Sequence, residues 1–440
     1  MKTALKATAA IAALMSLGAC GIFNGRDKGT PVVGERMPIL TSDAELAVDP
    51  AIAATPVALP AAQPNADWSQ PGGNAAKSMG HLALGSALSR AWSVEIPGGS
   101  SREKLASAPV IGGGRLYVSD VAGTVHAFDA ATGARVWQIA TTEGDANAAS
   151  RFGGGVSFDN GRVYASNGLG DVVALDAATG GLAWRAKPGG PLRGAPTIAN
   201  GQVYVQSQDN QLYALNQADG TVAWTVAASP ESQGVFGVAA PAAARGTVVA
   251  GFSSGELNAY RYENGNALWA DALSRSSIST SVSALSDIDA EPVIDNDRVY
   301  AVGLGGRTVA LDLLSGRRLW EQNLSGISTP WIAGDWMFVV TDDARVMALA
   351  RDSGRVRWVT QLPRWRNEKR NTGAISWVGP VLAGDRLVVA NSEGQVSFLS
   401  PADGSVGQTM EGKTAFTLPP VVANNTLYLL DDAGTLTAYR

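Results

Sequence analysis

From residue 105 onward one pattern returns at intervals of roughly forty-five residues, and it constrains the fold more than any other feature of the chain. An apolar strand, a Gly/Asn/Asp turn, a second strand and another turn lead into Gly-x-ψ-x-Ala-ψ-Asp, where ψ is apolar. A turn ending in Gly follows, with Trp four residues later. The clearest copies are Gly123-Thr-Val-His-Ala-Phe-Asp-Ala-Ala-Thr-Gly133 with Trp137, and Gly170-Asp-Val-Val-Ala-Leu-Asp-Ala-Ala-Thr-Gly180 with Trp184. Further copies end in Gly220/Trp224, Gly265/Trp269, Gly316/Trp320 and Gly354/Trp358, and a seventh has Gly404 but carries Gln408 where Trp belongs. The turn glycines lie 47, 40, 45, 51, 38 and 50 residues apart. Four short strands per repeat predict β-propeller blades, because one small twisted sheet cannot bury both faces without neighbours.

The first hairpin of the pattern occurs eight times, for example at Ile198-Ala-Asn-Gly-Gln-Val-Tyr-Val205 and Val422-Ala-Asn-Asn-Thr-Leu-Tyr-Leu429. The expected fold is therefore all-β, an eight-bladed propeller with four antiparallel strands per blade, over residues 67–440. The last copy stops at Arg440 without its Trp strand. Leu88-Ser-Arg-Ala-Trp-Ser-Val-Glu-Ile96 has that strand's character, and Trp92 lies 45 residues before Trp137. This N-terminal strand is expected to complete the last blade and close the ring, which removes exposed sheet edges. Trp92, Trp137, Trp184, Trp224, Trp269, Trp320 and Trp358 recur once per blade, so they read as wedges between blades rather than as a ligand-stacking set.

Upstream of the repeats, Lys2 and Lys6 precede the uncharged stretch Ala7–Ala19, the length of a secretory leader and too short to span a bilayer. It ends in Leu17-Gly18-Ala19-Cys20, which resembles the lipobox of bacterial lipoproteins, and Cys20 is the chain's single cysteine. Residues 1–19 are expected to be a lipoprotein signal peptide. Residues 20–66, rich in Ala and Pro, are expected to be a lipidated Cys20 and a flexible tether, with room for a short element near Glu45 to Val48. Gly21 after the lipidated Cys favours the outer membrane in that family's sorting logic.

Little catalytic chemistry is available. A net charge of −5 gives no global positive field, which disfavours nucleic acid, and two histidines with one cysteine leave little for zinc or histidine catalysis. Gly251-Phe-Ser-Ser-Gly255 fits a hydrolase string but falls in a blade turn, and His81 and His126 read as packing residues. Asp295-Asn-Asp297 is half a calcium loop in a hairpin turn, where these residues supply turn geometry. No catalytic residue, metal or cofactor is expected.

The repeat resembles that of the pyrroloquinoline-quinone enzymes, which makes a quinone-dependent dehydrogenase the enzymatic rival. Those enzymes are larger and commonly hold the cofactor beside an adjacent cysteine pair, which this chain lacks. Lipobox, tether and eight quinoprotein-type blades together resemble the BamB family of outer-membrane lipoproteins, a likeness that covers essentially the whole mature chain. More specific is Leu285-Ser-Asp-Ile-Asp-Ala-Glu-Pro-Val293, which looks like the Leu-Ser-Asp-x-Asp segment of that family. The resemblance implies a non-enzymatic scaffold, monomeric within its complex, that docks the POTRA domains of BamA and assists unfolded outer-membrane proteins. It makes Asp287 and Asp289 partner-binding residues. The neighbouring contact loop corresponds to Gln233–Pro241, with Val235-Phe236-Gly237 where enteric members have Leu-Arg-Gly. Phe236 and Gly237 are carried over on that basis.

Blade geometry points to the same face. The turns after the second and fourth strands emerge on one side, and the two longest connections are Asp271 to Ala290 and Gln361 to Val378. The second carries Arg364-Trp365-Arg366 within the basic run Arg364–Arg370, which reads as a solvated loop or as a contact with a partner or lipid headgroups. A propeller binding glycan or another envelope protein stays open as a third reading.

Overall fold

A computed structural model describes residues 46–100, 103–142, 153–230, 239–273 and 287–440. Cys20, the leader, the tether to residue 45, and Phe236 and Gly237 lie outside the described residues.

The described residues form eight four-stranded antiparallel sheets. Blade one is built from Val110–Gly112, Arg115–Ser119, Thr124–Asp129 and Arg135–Ala140, and the same order is kept through blade seven, which ends with Val406–Glu411. Blade eight takes Val421–Ala423, Thr426–Leu430 and Thr435–Tyr439 from the C-terminus and Arg90–Glu95 from the N-terminal side. Trp92 faces Ala438, Val94 faces Leu436, and Ser89 and Arg440 exchange backbone hydrogen bonds of 2.7 and 2.9 Å. The first strands are largely buried, three residues long in six blades, six in blade two and seven in blade seven, whereas the fourth strands are the more exposed, as Arg135–Ala140 of blade one shows.

The tryptophans do pack between blades. Trp184 Nε1 donates to Gln217 O at 3.1 Å and Trp224 Nε1 to Tyr262 O at 2.7 Å, each acceptor belonging to the next blade. The same bond recurs from Trp92 to Ala130 and from Trp358 to Pro401. Each ring also lies on the turn glycine of that next blade: a Cβ on Gly220, whose φ is +75°, would stand 2.5 Å from Trp184. Opposite each Trp in its own sheet is the repeat's Ala, as in Ala174 facing Trp184, because only a small side chain leaves room for the indole. Blade seven departs on both counts for one reason. Its Trp would need a turn between the third and fourth strands of blade eight, and those strands, Thr435–Tyr439 and Arg90–Glu95, are not consecutive and have no turn between them. Gln408 takes the Trp position, exposed, and Phe398 replaces the Ala and is buried.

The flexible tether expected over residues 20–66 does not reach that far, because from Leu46 onward the chain is fixed to the blades. Asp49 N donates to Val356 O at 2.9 Å, Arg357 Nε to Thr55 O at 2.6 Å, and Val57 and Leu59 pack on the core. Residues 65–82 then touch the innermost strand of every blade in turn. Trp68 exchanges backbone hydrogen bonds with Ile111 of blade one, Ser69 O accepts from Phe158 of blade two, and the Gln70 side chain pairs with Ile198 of blade three. Ala75 O and Ala76 O accept from Ala243 and Ile294 of blades four and five, and Gly80 O accepts the Trp331 indole of blade six. Leu82 N donates to Leu382 O of blade seven, and Asn65 closes the circuit on Val422 of blade eight. This segment stops one mouth of the central channel.

Candidate partner-binding face

Described residues of the connections from the fourth strand of one blade to the first of the next, among them Ser107, Ala195, Asp289, Ser328 and Leu418, come together around the other mouth. There the structure leaves a cavity of about 290 Å³. Its floor is the N-terminal segment at Trp68, Pro71, Gly72 and Lys77; its walls include Asp289, Glu291, Trp331, Val378 and Leu418. Ile327, Thr417 and Pro419 form an exposed rim.

Asp287 and Asp289 do come together, on a group that sequence reasoning missed. Arg193 Nη2, from the connection between blades two and three, lies 2.9 Å from Asp287 Oδ1 and 3.0 Å from Asp289 Oδ1. Arg193 and Asp287 are each 1% exposed, so the Asp287 carboxylate is enclosed within the chain, where it holds Arg193. Asp289 alone of the two lines the cavity. Burial, then the charge of Asp287, push its carboxyl up to about 6 against the opposing pull of Arg193. The available signal was Leu192-Arg193-Gly194, a Leu-Arg-Gly string one connection earlier than Val235-Phe236-Gly237. Its arginine is the single charge in a run of small and apolar residues, as expected of one committed to buried acids.

Lys77 and Glu291 form a second buried pair, 3.8 Å apart. Lys77 Nζ also donates to Pro71 O at 2.9 Å and Thr197 Oγ1 at 3.3 Å. Burial lowers the Lys77 ammonium and raises the Glu291 carboxyl, each only partly offset by the other. Lys77 thus pins the channel segment to blades three and five.

The Gln361–Val378 connection is a small hairpin, Trp365–Asn367 against Thr372–Ala374, on the rim of this same face. Arg364 lies over the Trp365 ring at 5.2 Å, and Arg366 Nε donates to Glu393 at 2.6 Å. Arg364, Arg366, Lys369 and Arg370 are all exposed. Trp365 is half-buried, its indole shielded by that guanidinium.

The other residues weighed for chemistry are structural. His126 is buried and bonded to Asp120 at 2.8 Å, and His81 bridges Pro60 O and the Asp385 amide. Ser253 donates to Asn210 at 2.7 Å in a blade turn, and Asp297 pairs with Arg245 at 2.5 Å. Among the described residues no three His, Cys, Asp or Glu side chains cluster as a metal site.

A family model for the outer membrane protein assembly factor BamB matches residues 89–151 and 121–360. The chain is 33% identical over 350 residues to the BamB proteins of Shigella dysenteriae serotype 1 and Escherichia coli K12, covering 79% of this chain and 87% of each relative. It is 30% identical to that of Xanthomonas campestris pv. campestris over 357 residues, 80% of this chain and 86% of the relative. Among solved structures, BamB from Moraxella catarrhalis superposes with a TM-score of 0.68 at 22% identity, covering 80% of this chain and 100% of that one. A quinohemoprotein alcohol dehydrogenase from Comamonas testosteroni reaches 0.65 at 15% identity, over 85% and 80% of the two chains. At such identities the structural likenesses speak for the fold alone, as the dehydrogenase illustrates. The sequence matches go further: the chain belongs to the BamB family of outer membrane protein assembly factors.

Proposed function

We propose that this chain is a non-catalytic lipoprotein of the outer-membrane β-barrel assembly machinery. It is lipidated at Cys20 and holds its propeller on the periplasmic side of the outer membrane. It binds the POTRA domains of its cognate BamA and thereby assists folding and insertion of outer-membrane proteins. The observation that carries this reading is the Leu-Ser-Asp-Ile-Asp segment, whose acids meet Arg193 at the open channel mouth of a chain in this family. The docking face comprises Asp289, the loop with Phe236 and Gly237, and the Arg364–Arg366 hairpin, with Asp287 and Arg193 behind it. The anchor supplies local concentration, so a modest affinity suffices. No cofactor enters.

The test is co-purification of cognate BamA with tagged full-length protein from detergent-solubilised outer membranes. Wild type retains BamA. Asp289→Asn combined with Arg364→Glu and Arg366→Glu retains less while still unfolding cooperatively in urea. Cys20→Ser releases the chain from the membrane fraction. Folded wild type that never retains BamA overturns the reading. A quinone absorbance band with dye-linked turnover after reconstitution would move it to the dehydrogenase class.

A further inference from the structure

The channel mouth is a blind socket whose charges do not balance. Lys77 and Glu291 neutralise each other at the floor. Asp287 and Asp289 share one guanidinium nitrogen of Arg193, so three acids stand against two bases among the described residues. The second carboxylate oxygen of Asp287 is buried and accepts no hydrogen bond from the described residues. The excess negative charge is presented to the cavity by Asp289, whose side chain is 10% exposed. Around it the surface is apolar: Trp68 and Trp331 stack at 5.9 Å, and Val378, Pro380 and Leu418 complete the wall.

We propose that this socket receives one arginine side chain, projecting from a loop of the protein partner, with its methylene stem along the apolar wall and its guanidinium on Asp289. The proposal rests on the reading of this face as a docking surface. A neutral apolar group would strip water from Asp289 and leave it half-paired, at a desolvation cost that burial of the group does not offset. An acidic group would meet like charge. A cationic head on an apolar stem satisfies both halves of the cavity, and among cations the planar guanidinium is weakly hydrated, forks onto carboxylates and stacks on indole faces. The floor limits depth, because the segment carrying Trp68 and Lys77 is hydrogen-bonded into the blades. The socket therefore takes a side chain and excludes a threaded peptide.

The test uses full-length protein in detergent, labelled with 5-fluorotryptophan. The probes are acetyl-Gly-Gly-Arg-Gly-Gly-amide and the same peptide with Gln or Glu in place of Arg. The Arg peptide is expected to shift the Trp68 and Trp331 signals saturably at millimolar concentration, at least tenfold more tightly than the Gln peptide, with the Glu peptide silent. Asp289→Asn, nearly isosteric, abolishes the preference. Thr417→Trp, a change on the exposed rim, blocks entry without touching the acids. Equal response to Arg and Gln peptides, or none, overturns the proposal even if BamA still co-purifies. Arg-selective binding together with unchanged BamA affinity in Asp289→Asn overturns the assignment of the occupant to that partner. Loss of BamA from wild type with Arg selectivity intact overturns the BamA reading instead, so the two fail separately.

Discussion

Arg193 and Asp289, 96 residues apart in sequence, meet at 3.0 Å and tie the connection between blades two and three to that between blades four and five. Asp287 shares the same nitrogen, so one guanidinium holds two buried acids. Removing the shared partner is the costly change. Arg193→Met should destabilise the protein by roughly 3–5 kcal/mol, the usual penalty for leaving buried charge unpaired. Asp289→Asn should cost much less, since it removes one of two competing acids and keeps a hydrogen-bond acceptor. Urea unfolding of the two variants and their double mutant measures the coupling. Equal, small losses would show that the cluster is not a stabilising unit.

The same cluster sets a pH dependence of definite sign. The Asp289 carboxyl, with an ordinary value of 3.8, is pushed up to about 6 by burial and by Asp287, while Arg193 opposes; Glu291, also raised, and Lys77 are the other charges on that cavity wall. A raised carboxyl binds its proton more tightly in the folded state. Its contribution is complete below about pH 4 and is lost as pH rises through 6, amounting to roughly 3 kcal/mol by linkage. Other acids act oppositely: Asp129, Asp176 and Asp312 are held low by hydrogen bonds from the Thr or Ser of their turns, so their contribution fades on acidification. The difference in unfolding free energy between wild type and Asp289→Asn isolates the term. It should fall as pH rises from 4 to 7; a flat difference would contradict the buried carboxyl.

Blade seven offers a test of what the repeated tryptophans do. If each indole is seated by the turn glycine of the next blade, Gly220→Ala should cost roughly 2–4 kcal/mol from left-handed backbone strain and overpacking against Trp184. Gln408→Trp should change stability by no more than about 0.5 kcal/mol, since blade eight has no turn to receive the ring. Thermal unfolding of both decides. Substantial stabilisation by Gln408→Trp would mean that the tryptophans act within their own sheets.

The ring was legible because its signal is periodic: Gly180 and Trp184, Ala174 and Asp176 recur at fixed offsets. The channel segment was not legible, and the physical reason is plain. It meets eight separate strands through only one or two hydrogen bonds each, from Asn65 round to Leu82, so it has no continuous ladder and hence no period. Lys77 there adopts a φ of +64°, a left-handed conformation that sequence does not announce for lysine. Of the candidate site, Asp287 and Asp289 were found through a motif. Their opposite fates, one buried behind and one facing the cavity, depend on Arg193, which only the three-dimensional ring brings near.

The channel segment should matter to the ring itself. A chain beginning at residue 67 keeps the contacts from Trp68 to Leu82 and loses the outer strap and the Asn65 link, so it should stay folded with a modestly lower urea midpoint. A chain beginning at residue 86 keeps the closing strand Arg90–Glu95 but strips acceptors from the amides of Ile111, Ala243 and Ile294. Each buried amide left without a partner costs about 1–3 kcal/mol, and the apolar inner strands lose the cover of Trp68 and Leu82 as well. The expected result is a propeller that is much less stable or aggregates. In wild type those three amides should exchange with deuterium only through global opening. If they exchange as fast as surface amides, or if the chain from 86 matches the chain from 67 in urea, the segment is a passenger in the channel. Ring closure would then rest on the eighth blade alone.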